Sequence, residues 1–474
     1  MLRFAKTGSI QARVLILSVV CIAFVVPGLP EANSRLSASD ATETRKPKTR
    51  RYTIEKHCGM PVYVEARTLP ELPKRDSQIN DAGAPAGRRL LAGAARVDIT
   101  PAGSVIMRGF GRRKSTGIHD RLYVRALVLD NGNEKLALIS WDKLHINGFK
   151  KIAQVRSEIN KRTGIPEENI LIGCTHTHSG CEGPFIRASI EAAGEAWKNR
   201  KRARIGIGSK MIYGIGTNRR TPRGAWLRDG YPSQDVVMDN ECGVIRIEDE
   251  QRNIIAVVAN YSCHPTVLGG ENTLLSGDFV GIGMLEIEKR LGKGAVALFL
   301  QGCAGDTGTQ TFRTGRTIPE AERLGKKFAD EALGILEHID VSRWVRLAGK
   351  TRMIGLPQKN FEQTKRRTVP RLIKGRTSIP NEIQALIVGD AMLLNVGSME
   401  AYVEIGLAIK EASPFKRTFV LAYANGPWLG YLPSPRGYAI QDPDARSTHF
   451  SPDAPRVLVE ESLKLAREMK ADTD

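Results

Sequence analysis

Apolar residues recur along most of this chain with one of two periods, and the alternation between the two sets out its elements. Residues 95–99 read as a strand that Pro101 and Gly103 end. The apolar runs 122–129 and 136–140 flank Asp130-Asn131-Gly132-Asn133, which predicts a hairpin. Residues 149–163 carry helical spacing, closed by Gly164 and Pro166, and 170–173 form a short buried strand. Strands follow at 203–207, 242–247, 254–261 and 295–300, with helices at 279–291 and 319–336. The run 254–261 is apolar throughout, as a central strand is. Later strands are expected at 345–353, 382–388, 391–396 and 418–422, and helices at 399–412 and 455–469. No internal repeat interrupts the alternation. The expected fold class is α/β, with mixed β-sheets flanked by helices in a single large domain over residues 90–474.

Two segments precede that domain. Arg3, Lys6 and Arg13 lead into an apolar run at 14–26, which Pro27, Gly28 and Pro30 break. That is the layout of a secretory signal, assigned to residues 1–32. The run is short for a membrane-spanning helix, and Val20 before Cys21 argues against a lipoprotein. Residues 33–89 are rich in Lys, Arg, Pro, Ser and Asp and read as a basic arm of low order, with weak strand candidates at 52–54 and 62–64. The protein is therefore expected to be exported to the periplasm, the cell surface or the medium.

Composition changes this picture in two places. The 474 residues carry a formal charge of +19. No nucleic-acid motif or aromatic ladder accompanies the basic residues, so nucleic acid is not an expected partner. An anionic membrane or envelope surface suits an exported basic chain better. Seven cysteines occur without a CxxC pair, which argues against a structural cysteine–zinc site.

Candidate chemistry gathers at strand ends. Cys174-Thr175-His176-Thr177-His178-Ser179-Gly180 follows the strand at 170–173. Imidazoles at i and i+2 of an extended chain point the same way, so one can bind a metal while the other faces a substrate. Ser262-Cys263-His264-Pro265-Thr266 follows the strand at 254–261 in the same manner. Two such tips can bring His176 and His264 onto one Zn2+, a cation that takes neutral imidazole readily. Glu400, expected in the first turn of the helix at 399–412, is the candidate carboxylate ligand, although a helix dipole alone would also favour it there. Asp142 and Asp278 are candidates to orient the ligand imidazoles, or else are ordinary caps.

These motifs, together with Gly117-Ile118-His119-Asp120-Arg121-Leu122, Asn218-Arg219-Arg220, Gly302-Cys303-Ala304-Gly305-Asp306, and Ala424-Asn425-Gly426 with Tyr431, occur in an order that resembles the neutral/alkaline ceramidase family. The resemblance implies a catalytic domain that hydrolyses the amide bond of ceramide with one zinc ion. It implies His176, His264, Glu400 and Tyr431 as metal ligands, with His178 and Arg219 in catalytic positions. Tyr431 and Arg219 enter by resemblance only. Gly308 stands where the family has a serine, and Pro443 where it has a second tyrosine. No counterpart of the family's C-terminal β-sandwich is expected before Asp474. The substrate is expected to be ceramide or a related lipid amide, cleaved by water. The alternatives are a related zinc hydrolase of envelope lipid or polysaccharide, or a non-catalytic relative that binds an anionic surface.

Overall fold

The computed structural model describes residues 53–54, 62–63, 89–220, 237–360 and 376–472. The expected signal segment at 1–32 lies outside the described residues, as does most of the arm. Within the arm, Thr53–Ile54 pairs antiparallel with Val62–Tyr63.

Eight strands form the larger sheet: β1 (Leu91–Asp98), β2 (Tyr123–Asp130), β3 (Lys135–Trp141), β4 (Ile170–Cys174), β5 (Lys201–Met211), β6 (Glu241–Asp249), β7 (Ile254–Tyr261) and β8 (Val296–Gln301). Their spatial order is β8-β7-β6-β5-β1-β2-β3-β4. Hydrogen bonding is antiparallel through the middle and parallel at both ends, where β3 pairs with β4 and β7 with β8. Parallel neighbours need a crossover. Helix α1 (Phe149–Thr163) connects β3 to β4, and α3 (Asp278–Leu291) connects β7 to β8.

A second sheet contains β9 (Leu347–Pro357), β10 (Ser378–Val388), β11 (Ala391–Asn395) and β12 (Arg417–Leu421), in that spatial order. Helix α5 (Val403–Ala412) crosses from β11 to its parallel neighbour β12. Helices α2 (Phe185–Lys198), α4 (Ile318–Glu337) and α6 (Ala454–Ala471) complete the larger elements. One buried apolar cluster packs α1, α2 and α6 against sheet residues such as Val128, Ile139 and Ile172. A second joins α3 and α4 through Phe279, Phe299 and Phe328. A third fills the space between the sheets with Leu129, Leu171, Leu298 and Leu393. Among the described residues, no helix is long and apolar enough to cross a membrane.

β4 forms one edge of the larger sheet and β8 the other, yet the two edges meet. Ser140 on β3 donates its hydroxyl to Phe299 O on β8 at 2.7 Å. Residues just past β12 close the seam. Ala422 N donates to Gln301 O at 3.0 Å, and Tyr423 O accepts from Cys174 N at 3.1 Å. Asn425 then exchanges two bonds with Ile172 on β4, through its own N–H and its side-chain oxygen. Closing the seam carries the tips of β4 and β7 to the same place.

The pattern over 170–173, 254–261 and 149–163 agrees with the observed elements to within a residue. Two features differ. Helix α2 was not anticipated; its buried face is Phe185, Ala188, Ser189, Ala192, Ala193 and Ala196, and small residues give a weak apolar signal. The expected helix at 399–412 begins only at Val403. Glu400–Ala401 instead forms a short strand parallel to Tyr431–Leu432. Glu400 is thus held by backbone pairing, Glu400 N to Gly430 O at 2.9 Å, and owes nothing to a helix dipole.

Candidate metal and active site

Five chain segments near the closed seam supply the site. His176 lies two residues past β4 and His264 three residues past β7. His176 has φ +68°, so the tip is not the extended chain expected from the His-x-His spacing. The left-handed turn still brings His178 back, with its Nε2 3.2 Å from that of His176. A non-glycine residue is rarely left-handed, and such strain gathers at functional loops. Tyr423, at φ +59°, packs its ring 4.3 Å from that of His176.

The hydrogen-bond partners decide where the ring protons are. His176 donates Nδ1–H to Leu144 O at 2.7 Å, and His264 donates Nδ1–H to Ala304 O at 2.5 Å. A carbonyl oxygen only accepts, so each Nδ1 carries the proton and each neutral Nε2 presents a lone pair. Those two Nε2 atoms lie 3.1 Å apart. Glu400 Oε2 lies 3.0 Å from His264 Nε2 and 3.6 Å from His176 Nε2. Three acceptors therefore converge with no hydrogen between them. A tetrahedral zinc with bonds of about 2.0–2.1 Å separates its ligand atoms by about 3.3 Å, so the donor set fits that ion. His176, His178 and His264 together offer ring nitrogens within 4.8 Å of one another.

The electrostatics favour the charge states a cation requires. Burial lowers His264 to about 4, which keeps its imidazole neutral. Burial, reinforced by His176 and His264, also holds His178 well below its ordinary value. Burial would raise Glu400, but beside His176 and His264 its carboxyl is held well below the usual range. The Tyr431 hydroxyl reaches Glu400, and Arg219 Nη2 donates to it at 3.2 Å. Burial raises Tyr431, as does the neighbouring Glu400. Burial disfavours the Arg219 charge, yet Tyr431 and Glu400 raise its pKa above the ordinary value.

The six residues singled out from sequence, His176, His178, Arg219, His264, Glu400 and Tyr431, thus share one site. Asp142 and Asp278 touch neither ligand imidazole. Asp142 accepts from Arg125 at 2.6 Å and from Tyr123 N at 2.9 Å. Asp278 accepts from the backbone of Val267, Leu268 and Phe279. Main-chain carbonyls orient the rings instead.

Other contributors had no sequence signal. Trp428 donates Nε1–H to Glu400 Oε1 at 3.0 Å and stacks on His145 at 5.3 Å. A short hairpin, Ile106–Met107 with Arg113–Lys114, leans on His178. At its turn Gly109 has φ +115°, and a Cβ there would lie 2.6 Å from His178 Cβ. Gly305 leaves room for the backbone of Glu400 and Ala401. Gly308 pairs with Thr217 in a two-residue ladder, and Pro443 opens a short helix capped by Asp442.

Comparison with known proteins adds a second line of observation. Residues 90–188 match the family model for the N-terminal region of neutral/alkaline non-lysosomal ceramidase. Neutral ceramidase B of Dictyostelium discoideum is 28% identical over 257 residues, 46% of this chain and 35% of that protein. Neutral ceramidase of Pseudomonas aeruginosa is 26% identical over 248 residues, 45% of this chain and 36% of that one. The chain is similar in sequence to the neutral ceramidases. The matched stretch spans about a third of the length of those curated ceramidases. The crystal structure of neutral ceramidase from Pseudomonas aeruginosa superposes with a TM-score of 0.66 at 18% identity, over 80% of this chain and 75% of that one. A ceramidase structure described as complexed with C2 gives 0.67 at 17% identity, over 81% and 76%. The mixed-sheet fold is shared with these ceramidases.

Proposed function

We propose that the chain is an exported zinc-dependent amidohydrolase that cleaves the N-acyl amide bond of ceramide or a related lipid amide. The observation that carries this reading is the convergence of His176 Nε2, His264 Nε2 and Glu400 Oε2 as bare acceptors, with both Nδ1 protons fixed by main-chain oxygens. The likeness to ceramidases supports an amide as the bond cleaved, and the leader-like pattern at residues 1–32 supports export.

His176, His264, Glu400 and Tyr431 would hold the ion. Zn2+ supplies Lewis acidity there and lowers the pKa of water from about 15.7 to about 7. The chain's own residues do the rest. Trp428 occupies Glu400 Oε1 and leaves Oε2 aimed at the two imidazoles. Arg219, braced on Tyr431, presents a fixed cation to the charge that develops on the carbonyl oxygen. Removal of one such donor typically costs about 100- to 1000-fold in turnover. The oxygen of water adds to the carbonyl carbon, the C–N bond breaks, and a carboxylic acid and an amine leave. His178, neutral because it is buried, takes the proton that water loses and passes it to the departing nitrogen.

Parallel variants test the division of roles. His176→Ala is expected to lose both zinc and activity, as measured by metal analysis and amide cleavage. His178→Ala is expected to retain zinc and lose turnover by about 100- to 10,000-fold. Equal loss of zinc in both variants would show that His178 is a ligand and reject the proposed acid–base role.

A further inference from the structure

On the His178 side, the site is bordered by arginines that have no carboxylate partner among the described residues. Phe110, at the hairpin turn, packs its ring 4.8 Å from the His178 ring. Arg113 lies over Phe110 at 5.5 Å and Arg316 at 6.0 Å. Arg113 donates to Gly269 O, Asn272 O, Arg108 O and His178 O, all main-chain carbonyls. Its Nε is buried with no hydrogen-bond partner. Arg316 packs on the other side of the same loop, 2.5 Å from where a Cβ on Gly269 would stand. Arg313 joins them, donating to Thr266 O and repelled by Arg316.

Two guanidiniums share one phenyl ring, a third, Arg313, is repelled by Arg316, and carbonyl oxygens do not neutralise them. Burial lowers the pKa of Arg113; it also lowers that of Arg313, with Arg316 adding to the effect. Asp278, whose charge acts on Arg313, is buried and committed to three backbone N–H groups. Glu271, on the loop that Arg113 clasps, makes no ion pair with any of the three among the described contacts. A cluster of this kind is suited to a ligand that brings its own negative charge.

The geometry points to an amide substrate whose amine portion carries an anionic group, sulfonate, phosphate or carboxylate, held by Arg313 and Arg316 beside His178, with Arg113 contributing its charge from the loop behind. This inference rests on the proposed hydrolase reading, in which His178 serves the departing nitrogen. It differs from that reading in naming charge as the selected feature, whereas ceramide itself is uncharged.

The test uses the zinc-loaded full chain with two matched amides, N-dodecanoyltaurine and N-dodecanoylethanolamine, which differ in a sulfonate against a hydroxyl. At low salt kcat/KM is expected to favour the taurine amide by about tenfold or more, the scale of one hydrogen bond to a charged group. The preference is expected to shrink as ionic strength rises. Arg316→Gln removes an exposed guanidinium with no hydrogen bond to the fold, and the taurine-to-ethanolamine ratio is expected to fall at least about fivefold. Equal kcat/KM for the two amides, or an unchanged ratio in Arg316→Gln, overturns the inference. If neither amide is cleaved, calorimetric binding of the same pair still decides. Selective binding of the taurine amide, lost in Arg316→Gln, supports the anion site and removes the hydrolase reading. Equal binding, or none, removes the anion site.

Discussion

Gly305→Ala adds one methyl group at the point where the chain passes behind Glu400. The new Cβ would lie 2.8 Å from the Glu400 carbonyl carbon and 2.9 Å from Ala401 O, and closer still to Glu400 O. All three are main-chain atoms, so no rotamer change relieves the overlap. The loops must part, which stretches the bond from Gly305 N to Ala401 O, now 2.8 Å. Overpacking costs about 1–3 kcal/mol and a weakened hydrogen bond about 0.5–1.5 kcal/mol, so the variant is expected to lose about 2–4 kcal/mol. Glu400 is carried along, and a displacement of about 1 Å in such a group costs about 100-fold in activity. Urea unfolding of the metal-free protein measures the first effect, and competitive zinc titration measures the displacement of Glu400 directly. Gly194→Ala is the control, because nothing lies within 4 Å of its Cβ position in α2. It is expected to stabilise by about 0.5–1 kcal/mol. The reasoning is refuted if Gly305→Ala matches wild type in stability and zinc affinity, or if the two variants behave alike.

Further expectations rest on other contacts. Trp428→Phe keeps the stack on His145 and loses the N–H that holds Glu400 Oε1; zinc affinity by chelator competition is expected to fall about 10- to 100-fold with unchanged metal-free stability, and equal affinity would remove Trp428 from the site. Glu320, hydrogen-bonded to Arg323 and to Thr314 N, has its pKa lowered from 4.5 to about 2, chiefly by Arg323. Because the folded pKa is depressed, its contribution is full above pH 4.5 and is lost as pH falls toward 2. Wild type and Glu320→Gln should therefore differ in unfolding free energy at pH 6 and converge near pH 2; a difference that does not change with pH would contradict the assignment.

The order of strands and helices was legible because each carries its own period. The buried run Ile254–Tyr261 and the helix Phe149–Thr163, closed by Gly164, begin and end where composition changes. The joining of the two sheet edges was not legible. It depends on Asn425, Tyr423 and Gln301 bonding across long sequence separations, and hydropathy does not record such pairs. The imidazoles stood out because His is rare in this chain and both follow apolar strands. Glu400 was singled out, but on the wrong element, since a two-residue strand has no period to detect. Trp428, Phe110 and Arg113 escaped notice because their roles come only from what the folded chain puts beside them.

The two imidazoles lean on peptide oxygens, at Leu144 and Ala304, and not on carboxylates. A peptide oxygen is there whatever residue occupies the position, so drift in side chains at 144 or 304 leaves the tautomers as they are. A neutral amide also pushes less electron density through the ring than an aspartate would, and a cation held there stays correspondingly electron-poor. The trace of the backbone, more than any replaceable neighbour, sets how hard that cation can pull.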